Sequence, residues 1–265
     1  MSEIRVAIHG AGGRMGRRLV ALGTDDPALK VVAALESNRH PDAGRDAGEL
    51  AGISQLGISL TDELTATADC LIDFSVAEAT DHVVDVCQQH RLPLVIATTG
   101  LDETRQARIR SLAEAVPVVW APNMSLAVNL TMKLVEQAAT ALCDCSGGAD
   151  VEIIERHHRF KEDAPSGTAL RFGEIIAESM KQTQHTHGRQ GMVGQRPRDE
   201  IGYHALRVGD DPGQHTIVFG MLGETIELSV RATNRDCYAL GALQAAQYVV
   251  KQPPGIYSMY DVLGL

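Results

Sequence analysis

The chain has 265 residues, a net charge of −10 and 44% hydrophobic residues. This length accommodates two domains of moderate size better than one. The acidic balance argues against nucleic acid as a partner, because proteins that bind nucleic acid usually carry a basic face. No apolar run reaches the length of a membrane span, and the chain begins directly with a strand-like segment. We therefore expect a cytoplasmic protein that contacts neither nucleic acid nor membrane, with an anionic small molecule still open as a ligand.

The five cysteines form no CxxC pair, and their number is odd. This pattern favours reduced thiols over a disulfide framework. Cys143 and Cys145 flank an aspartate, but two ligands without a second pair make a poor zinc site. We expect no metal.

The first 125 residues alternate short apolar runs with segments of helical spacing. Runs that are β-branched and nearly continuous predict buried strands over 4–10, 31–36, 70–75, 93–100 and 116–123. Strand and helix repeated in this way predict an α/β fold with a Rossmann-like, doubly wound parallel sheet.

The pattern changes after residue 125. Helices are predicted over 125–142 and 167–181, with the strand "ADVEIIERHH" between them and a polar loop over 188–199. Three further strands, "EIGYHALRV", "QHTIVFGML" and "ETIELSVRAT", are separated by "GDDPG" and by Gly223, which predict tight turns. We expect an α+β domain with an open mixed sheet over 128–238, and a last helix that returns to the first domain. The first domain then comprises 1–127 and 239–265.

A glycine-rich turn, "GAGGRMG", lies between the first predicted strand and the first helix. Gly10, Gly13 and Gly16 follow a G-x-x-G-x-x-G spacing, and the usual G-x-G-x-x-G spacing is not met. Glycines in this position let a pyrophosphate approach the backbone at a helix N-terminus. The turn predicts a dinucleotide, with a purely structural turn as the alternative.

Glu36 ends the second predicted strand, where an acidic side chain commonly accepts the adenosine ribose hydroxyls. A solvated strand-end carboxylate is the alternative. Arg14 and Arg39 lie nearby in sequence and can hold a 2′-phosphate. The residues therefore leave NADH and NADPH both open, and we expect dual use with a lean towards NADH.

Polar residues also end the two later strands, in "ATTG" and "WAPNMS". Ligands of such sheets bind outside the carboxyl ends of the strands. Thr98, Thr99 and Asn123 are therefore predicted to face the nicotinamide.

Residues 155–170, "ERHHRFKEDAPSGTAL", place two histidines and a lysine just before a helix start. Ser166 is a plausible N-cap, and the free N–H groups of the first turn make an anion site. His157, His158 and Lys161 beside such a site suit a substrate with more than one carboxylate, and a histidine can exchange a proton near neutral pH. Elsewhere, a structural role is expected for the isolated histidines His82, His90, His185, His187 and His215.

At these residues the chain resembles the 4-hydroxy-tetrahydrodipicolinate reductase family of lysine and diaminopimelate biosynthesis. Residues 155–169 are similar to the family signature. The glycine turn, "DAGELAG", "IDFS", "ATTG", "APNMS", "LRVGDDPGQHT" and the ending "MYDVLGL" follow in the family's order. The resemblance covers essentially the whole chain.

The resemblance implies a homotetramer that reduces (2S,4S)-4-hydroxy-2,3,4,5-tetrahydrodipicolinate, a dicarboxylate, to (S)-2,3,4,5-tetrahydrodipicolinate with NADH or NADPH. It implies that the second domain binds substrate and mediates oligomerisation. By position, His157 and Lys161 resemble the proton donors, and His158, Gly167 and Thr168 the contacts of the substrate carboxylates. The residues that resemble cofactor contacts are Gly10, Ala11, Gly12, Gly13, Arg14, Met15, Glu36, Ala97, Thr98, Thr99, Ala121, Pro122, Asn123 and Met124. Ser37 departs from members that have arginine directly after the acidic residue, and it argues against a strong NADPH preference.

Two other functions compete with this one. Another Rossmann-type amino-acid dehydrogenase, such as a homoserine or aspartate dehydrogenase, would keep the glycine turn but would not need residues 155–169. A dinucleotide-sensing module without catalysis would not need His157 and Lys161 either.

Overall fold

The computed structural model describes residues 3–145 and 148–265, and it divides the chain into two compact units. The first unit comprises Met1–Leu126 and Asp236–Leu265, and the second comprises Ala127–Arg235. No helix in the described ranges is both long and apolar enough to cross a membrane.

The described residues form twelve strands and eight α-helices. The strands are β1 Ile4–His9, β2 Leu29–Leu35, β3 Leu60–Thr61, β4 Cys70–Asp73, β5 Leu94–Ile96, β6 Pro117–Trp120, β7 Asp150–His157, β8 Gln184–His187, β9 Glu200–Arg207, β10 Gln214–Met221, β11 Glu224–Arg231 and β12 Gly255–Tyr257. The helices are α1 Arg14–Asp25, α2 Ala47–Ala51, α3 Thr80–His90, α4 Glu103–Leu112, α5 Leu126–Leu142, α6 Gly167–Met180, α7 Asp236–Val249 and α8 Met259–Leu263.

The first unit is built on a seven-stranded parallel sheet in the order β12-β6-β5-β4-β1-β2-β3. Alternate residues of β1 point to opposite faces: Val6 and Ile8 enter the core that includes residues of α1 and α7, and Ala7 enters the core formed with α3 and α4. Because helices cover both faces, the strands are apolar almost throughout. The predicted doubly wound parallel sheet is confirmed.

The strand order reverses between β1 and β4, which are neighbours in the sheet. Strands β2 and β3 follow on the outer side of β1, and strands β5, β6 and β12 follow on the outer side of β4. Such a reversal opens a crevice at the carboxyl ends of the central strands. The glycine turn after β1 and the "IDFS" segment after β4 lie at this point.

The second unit contains a five-stranded mixed sheet in the order β11-β10-β7-β9-β8. Strand β10 is antiparallel to β11 and β7, whereas β7, β9 and β8 are mutually parallel. Helix α6 packs on β7 and β9. The predicted open mixed sheet is confirmed.

The expectation that "GDDPG" forms a tight turn between neighbouring strands is wrong. Strand β7 lies between β9 and β10, so this segment crosses over a strand. A Gly, Asp and Pro-rich segment marks where a strand ends but does not encode which strand will lie beside it. The turn at Gly223 does join a hairpin, in which Met221 pairs with Glu224 and Gly223 has a φ of +94°.

Candidate functional site

The glycine turn brings the start of α1 against the end of β4. Gly10 has a φ of +75°, and a Cβ atom on it would lie 2.7 Å from the carbonyl oxygen of Phe74. A Cβ on Gly16 would lie 2.0 Å from the carbonyl oxygen of Gly10. Gly13 is the N-cap of α1 and has no side chain to satisfy the N–H groups of the first turn. The turn is therefore a compact cradle with an anion-binding helix end.

A cleft of 660 Å³ opens beside this cradle at the reversal of strand order. Glu36 lies in its wall and accepts hydrogen bonds from the backbone N–H of Gly12 (3.2 Å) and of Ser37 (3.0 Å). Arg14 also lines the cleft, whereas Arg39 is exposed outside it. The lining residues are His9, Gly10, Gly13, Arg14, Met15, Glu36, Ser37, Asn38, His40, Asp62, Phe74, Ser75, Val76, Ala79 and His82.

His40 was not predicted to belong to this site. Its imidazole lies so close to the glycine turn that a Cβ on Gly12 would come within 2.9 Å of its Nε2 atom, and within 3.2 Å of the Glu36 carboxylate. A histidine outside any motif carries no signal of this kind in the sequence. The buried Ala11 is held to β2 by a hydrogen bond from its N–H to the carbonyl oxygen of Leu35 (3.1 Å).

A buried carboxylate joins the ends of the central strands beneath the cleft. Asp73 is fully buried and accepts hydrogen bonds from Ser75 Oγ and Thr98 Oγ1, both at 2.6 Å. His9 Nδ1 lies 2.8 Å from Asp73 Oδ1, the same oxygen that Ser75 contacts. The hydroxyl of Thr98 thus serves to fix the loop after β5. His9 and Asp73 were missed because both sit inside strands that the sequence predicts only as apolar.

The loops after β5 and β6 lie next to each other. Thr98, Thr99 and Pro122 line one depression of 320 Å³. The N–H of Ala97 donates to the carbonyl oxygen of Asp73 (3.0 Å), and that of Ala121 donates to Ile96 (3.2 Å).

The turn that follows β6 leads into α5. Asn123 Oδ1 accepts a hydrogen bond from Ser125 N (2.9 Å), and Met124 is buried. Asn123 thus shapes the turn that presents the residues after β6.

In the second unit, His157 ends β7 and is held by Glu155, two residues before it on the same buried face. His157 Nδ1 lies 2.5 Å from Glu155 Oε2. Arg207 donates two further hydrogen bonds to the same carboxylate, at 2.8 and 2.9 Å. Burial opposes ionisation of Glu155, but the hydrogen bonds and charges of His157 and Arg207 outweigh burial and lower its pKa to about 2.

The start of α6 adjoins the same histidine. Ser166 is the N-cap, and its hydroxyl oxygen accepts a hydrogen bond from Ala169 N (3.2 Å). The hydroxyl lies 3.0 Å from Nε2 of His215, whose ring is 5.3 Å from that of His157. Burial first, and then the electrostatic effects of His157 and Lys161, lower the pKa of His215 to about 4. His215 is therefore neutral at pH 7, and its Nε2 shares a hydrogen bond with the Ser166 hydroxyl.

The other predicted residues of this site lie around the helix start. Gly167 is exposed and Thr168 is half-buried. His158 Nδ1 is buried and has no hydrogen-bond partner within the described ranges. Lys161 pairs with Asp163 at 2.8 Å, and its backbone N–H donates to the carbonyl oxygen of His158.

Four residues that lie here were not among the predicted site residues: Glu155, Arg207, Gly213 and His215, the last of which was expected to be structural. A Cβ on Gly213, which has a φ of +149°, would lie 2.9 Å from Nε2 of His157. All four lie in segments that resemble the family. The resemblance indicates that these segments matter for function, but it does not indicate what each residue does. Spacing alone does not bring residue 155 to residue 207, because β7 and β9 become neighbours only in the sheet.

Comparisons with known proteins agree with this architecture over the full length. The family profile described as "Dihydrodipicolinate reductase, N-terminus" matches residues 4–124, and that described as "Dihydrodipicolinate reductase, C-terminus" matches residues 127–263. The 4-hydroxy-tetrahydrodipicolinate reductase of Rhodopirellula baltica is 55% identical over 99% of this chain and 96% of its own, and that of Alkalilimnicola ehrlichii is 48% identical over 98% and 99%.

A solved structure is similar over the same span. The dipicolinate-bound dihydrodipicolinate reductase from Paenisporosarcina sp. TG-14 superposes with a TM-score of 0.80 at 25% identity, over 98% of this chain and 99% of that one. The amine dehydrogenase of Mycobacterium smegmatis, at 14% identity and a TM-score of 0.59, shares the fold alone. The matches of the family profiles and of the relatives cover both units of the chain, which belongs to the dihydrodipicolinate reductase family.

Proposed function

We propose that the chain catalyses the reduction of (2S,4S)-4-hydroxy-2,3,4,5-tetrahydrodipicolinate to (S)-2,3,4,5-tetrahydrodipicolinate, with loss of water, in lysine and diaminopimelate biosynthesis. The observation that carries the proposal is the pair His157 and Glu155 beside the start of α6, in a chain that matches reductases of this name end to end. Other Rossmann-type amino-acid dehydrogenases are not favoured, because the full-length relatives at 42–55% identity all have this reductase name.

A nicotinamide dinucleotide follows from the family and fits the first unit. The cradle at Gly10 and Gly16 has no room for a side chain and leaves the start of α1 open to a pyrophosphate. Residues 10–15 would hold the phosphates and Glu36 the adenosine ribose. Residues 97–99 and 121–124 would lie towards the nicotinamide, which supplies the hydride when bound.

We propose that the chain uses both NADH and NADPH, with a modest preference for NADH. Glu36 offers a carboxylate to the ribose hydroxyls and repels a 2′-phosphate. Arg14 is the arginine that lines the cleft, and the structure leaves Arg39 outside it. One arginine–phosphate contact contributes on the order of 1 kcal/mol, which only roughly offsets the repulsion.

The dicarboxylate substrate would be bound by the second unit. Backbone N–H groups at Gly167 and Thr168 open α6 and suit one carboxylate. The Nδ1 of His158, which has no partner among the residues described, and the ammonium of Lys161 supply further donors. Reduction of the conjugated ring leaves an electron-rich, enamine-like centre that needs a proton, and His157 and Lys161 would provide it.

We further propose a cytoplasmic homotetramer in which the sheet of the second unit mediates assembly. Large apolar side chains on its strands are partly exposed, including Ile154 on β7, Leu206 on β9 and Ile226 on β11. Unpaired apolar surface of this kind is typical of an interface. Sedimentation equilibrium measures the assembly directly.

The test of function uses the purified chain with freshly prepared synthase product as substrate. Loss of reduced-nicotinamide absorbance is followed with NADH and with NADPH, and L-homoserine and L-aspartate with the oxidised cofactors are the comparison substrates. We expect turnover with the tetrahydrodipicolinate precursor only. Protein that binds cofactor but turns over none of this substrate would show the proposal to be wrong.

A further inference from the structure

We infer that Glu155, together with Arg207, is the positioning group that aligns His157, Lys161 and the start of α6 for proton transfer. The inference rests on the proposed function and deepens it. It concerns a side chain that touches neither substrate nor cofactor and acts through the groups that do.

Glu155 sits at the centre of a closed set of hydrogen bonds. Its side chain is 1% exposed, and its two oxygens accept four donors. Oε2 accepts from His157 Nδ1 (2.5 Å) and Arg207 Nη1 (2.9 Å), and Oε1 accepts from Arg207 Nη2 (2.8 Å) and Ser166 N (3.1 Å). Each oxygen thus has one bond to the arginine and one bond to a part of the candidate site.

This arrangement fixes the proton of the imidazole. An ionised carboxylate only accepts hydrogen bonds, so the proton of the His157–Glu155 contact belongs to Nδ1. The other nitrogen, Nε2, is then the one that gains or loses a proton during the reaction. Nε2 faces the backbone of Gly213, where no side chain can stand without crowding it.

Arg207 also connects the Glu155 carboxylate to Lys161, the second candidate proton donor. Besides its paired bonds to Glu155, its Nη2 donates to the carbonyl oxygen of Asp163 at 2.6 Å. The carboxylate of Asp163 in turn holds Lys161 Nζ at 2.8 Å. One ion pair therefore links the histidine on β7, the turn that carries the lysine and, through Ser166 N, the first turn of α6.

Replacement of Glu155 by glutamine separates this role from simple packing. Glutamine keeps the shape of glutamate but has an NH₂ group in place of one oxygen. It therefore cannot accept all four of the hydrogen bonds that Arg207, His157 and Ser166 donate to the two oxygens of Glu155. A glutamine NH₂ directed at His157 would favour the tautomer with the proton on Nε2.

The matched control is Glu152→Gln on the same strand. Glu152 is also an ion-paired carboxylate with a pKa lowered to about 2, where hydrogen bonds from Arg189, His204 and Arg196 outweigh burial. It lies on the opposite face of β7 and has no contact with His157 in the described structure. Its replacement removes a similar ion pair without touching the candidate site.

We expect Glu155→Gln to lower kcat at least about tenfold, with KM for the cofactor within about twofold of wild type. Glu152→Gln should leave kcat within about twofold. In ¹⁵N-edited NMR spectra of the ¹⁵N-histidine-labelled protein, the His157 signals should show the Nδ1–H tautomer in wild type and lose it in Glu155→Gln only. Equal losses of kcat in the two variants, or an unchanged His157 tautomer, would overturn the inference.

Two further variants keep the outcome interpretable. Arg207→Lys retains the positive charge but cannot donate two parallel bonds, and it should lower kcat severalfold even if Glu155→Gln fails to fold. Unchanged kcat in Arg207→Lys would also contradict the inference. His157→Ala distinguishes failure of the proposed function from failure of the positioning role. If His157→Ala stays active, the proposed function of His157 is wrong. If His157→Ala loses activity and Glu155→Gln does not, only the positioning role is contradicted.

Discussion

Replacement of His215 by glutamine is expected to make the free energy of unfolding less sensitive to pH between about 7 and 5. His215 lies on β10 and is buried beside Ser166, Phe172 and His157. Burial and the electrostatic effects of His157 and Lys161 lower its pKa from 6.5 to about 4, although Glu155 opposes the change. Glutamine can still form a hydrogen bond with the Ser166 hydroxyl, but it does not titrate.

The sign follows from where the proton binds. Above pH 6.5, His215 is neutral in both the folded and the unfolded chain and contributes nothing to the pH dependence. As the pH falls below 6.5, the unfolded chain binds a proton that the folded chain does not, so stability decreases until the pH reaches about 4. Linkage with these two pKa values gives a loss of about 2 kcal/mol at pH 5. The carboxyl groups of Glu152 and Glu155 lose their contribution only below about pH 4.5.

The measurement is urea unfolding of wild type and His215→Gln at pH 7 and pH 5, at one protein concentration because assembly shifts apparent stability. We expect wild type to lose about 2 kcal/mol more than the variant between the two pH values. The other histidines are common to both proteins, so their contributions cancel. Equal losses in the two proteins would show that the fold does not keep His215 neutral.

Three further predictions concern activity. His157→Ala and Lys161→Ala should each lower kcat by roughly 10²-fold while the cofactor Kd, measured by fluorescence titration, hardly changes; near-wild-type turnover in either would remove that residue from proton transfer. Gly213→Ala should lower kcat at least about tenfold, because its Cβ would come 2.9 Å from Nε2 of His157; steady-state kinetics showing full activity would contradict this geometry. Arg14→Ala should raise KM for NADPH several-fold more than KM for NADH, with the exposed Arg39→Ala as the control; the reverse order would place the 2′-phosphate at Arg39.

Much of the fold follows from local pattern. The buried parallel strands are apolar almost along their whole length, so their positions agree with the sequence prediction to within a few residues. The short edge strands β3, β8 and β12 were not predicted. Strand β8 consists of Gln184–His187, is mostly exposed and has no apolar alternation. An edge strand of this kind forms because its neighbour presents unpaired backbone groups, which is information carried by the neighbour.

The candidate site could be predicted where it is local in sequence. Residues 155–170 contain the helix start and its N-cap, and the structure has both. The contacts that orient those residues come from elsewhere: Arg207 from β9 and His215 from β10. Periodicity and spacing describe one segment at a time, so they cannot reveal which charge on a distant strand will neutralise a buried glutamate.

The return of the chain to the first unit sets an order on its folding during synthesis. Helix α7 packs against α1 and against β4, β5 and β6, and its buried residues complete one of the two cores. Gly241 lies so close to the carbonyl oxygen of Met124 that a Cβ would approach it to 1.8 Å, so α7 docks onto the end of the segment that leaves the first unit. More than a hundred residues of the second unit emerge from the ribosome between these two pieces. Until α7 follows, the part of this apolar face formed by β4, β5 and β6 lacks its covering helix, and nascent chains that end before residue 236 should be the ones that chaperones bind and proteases cleave.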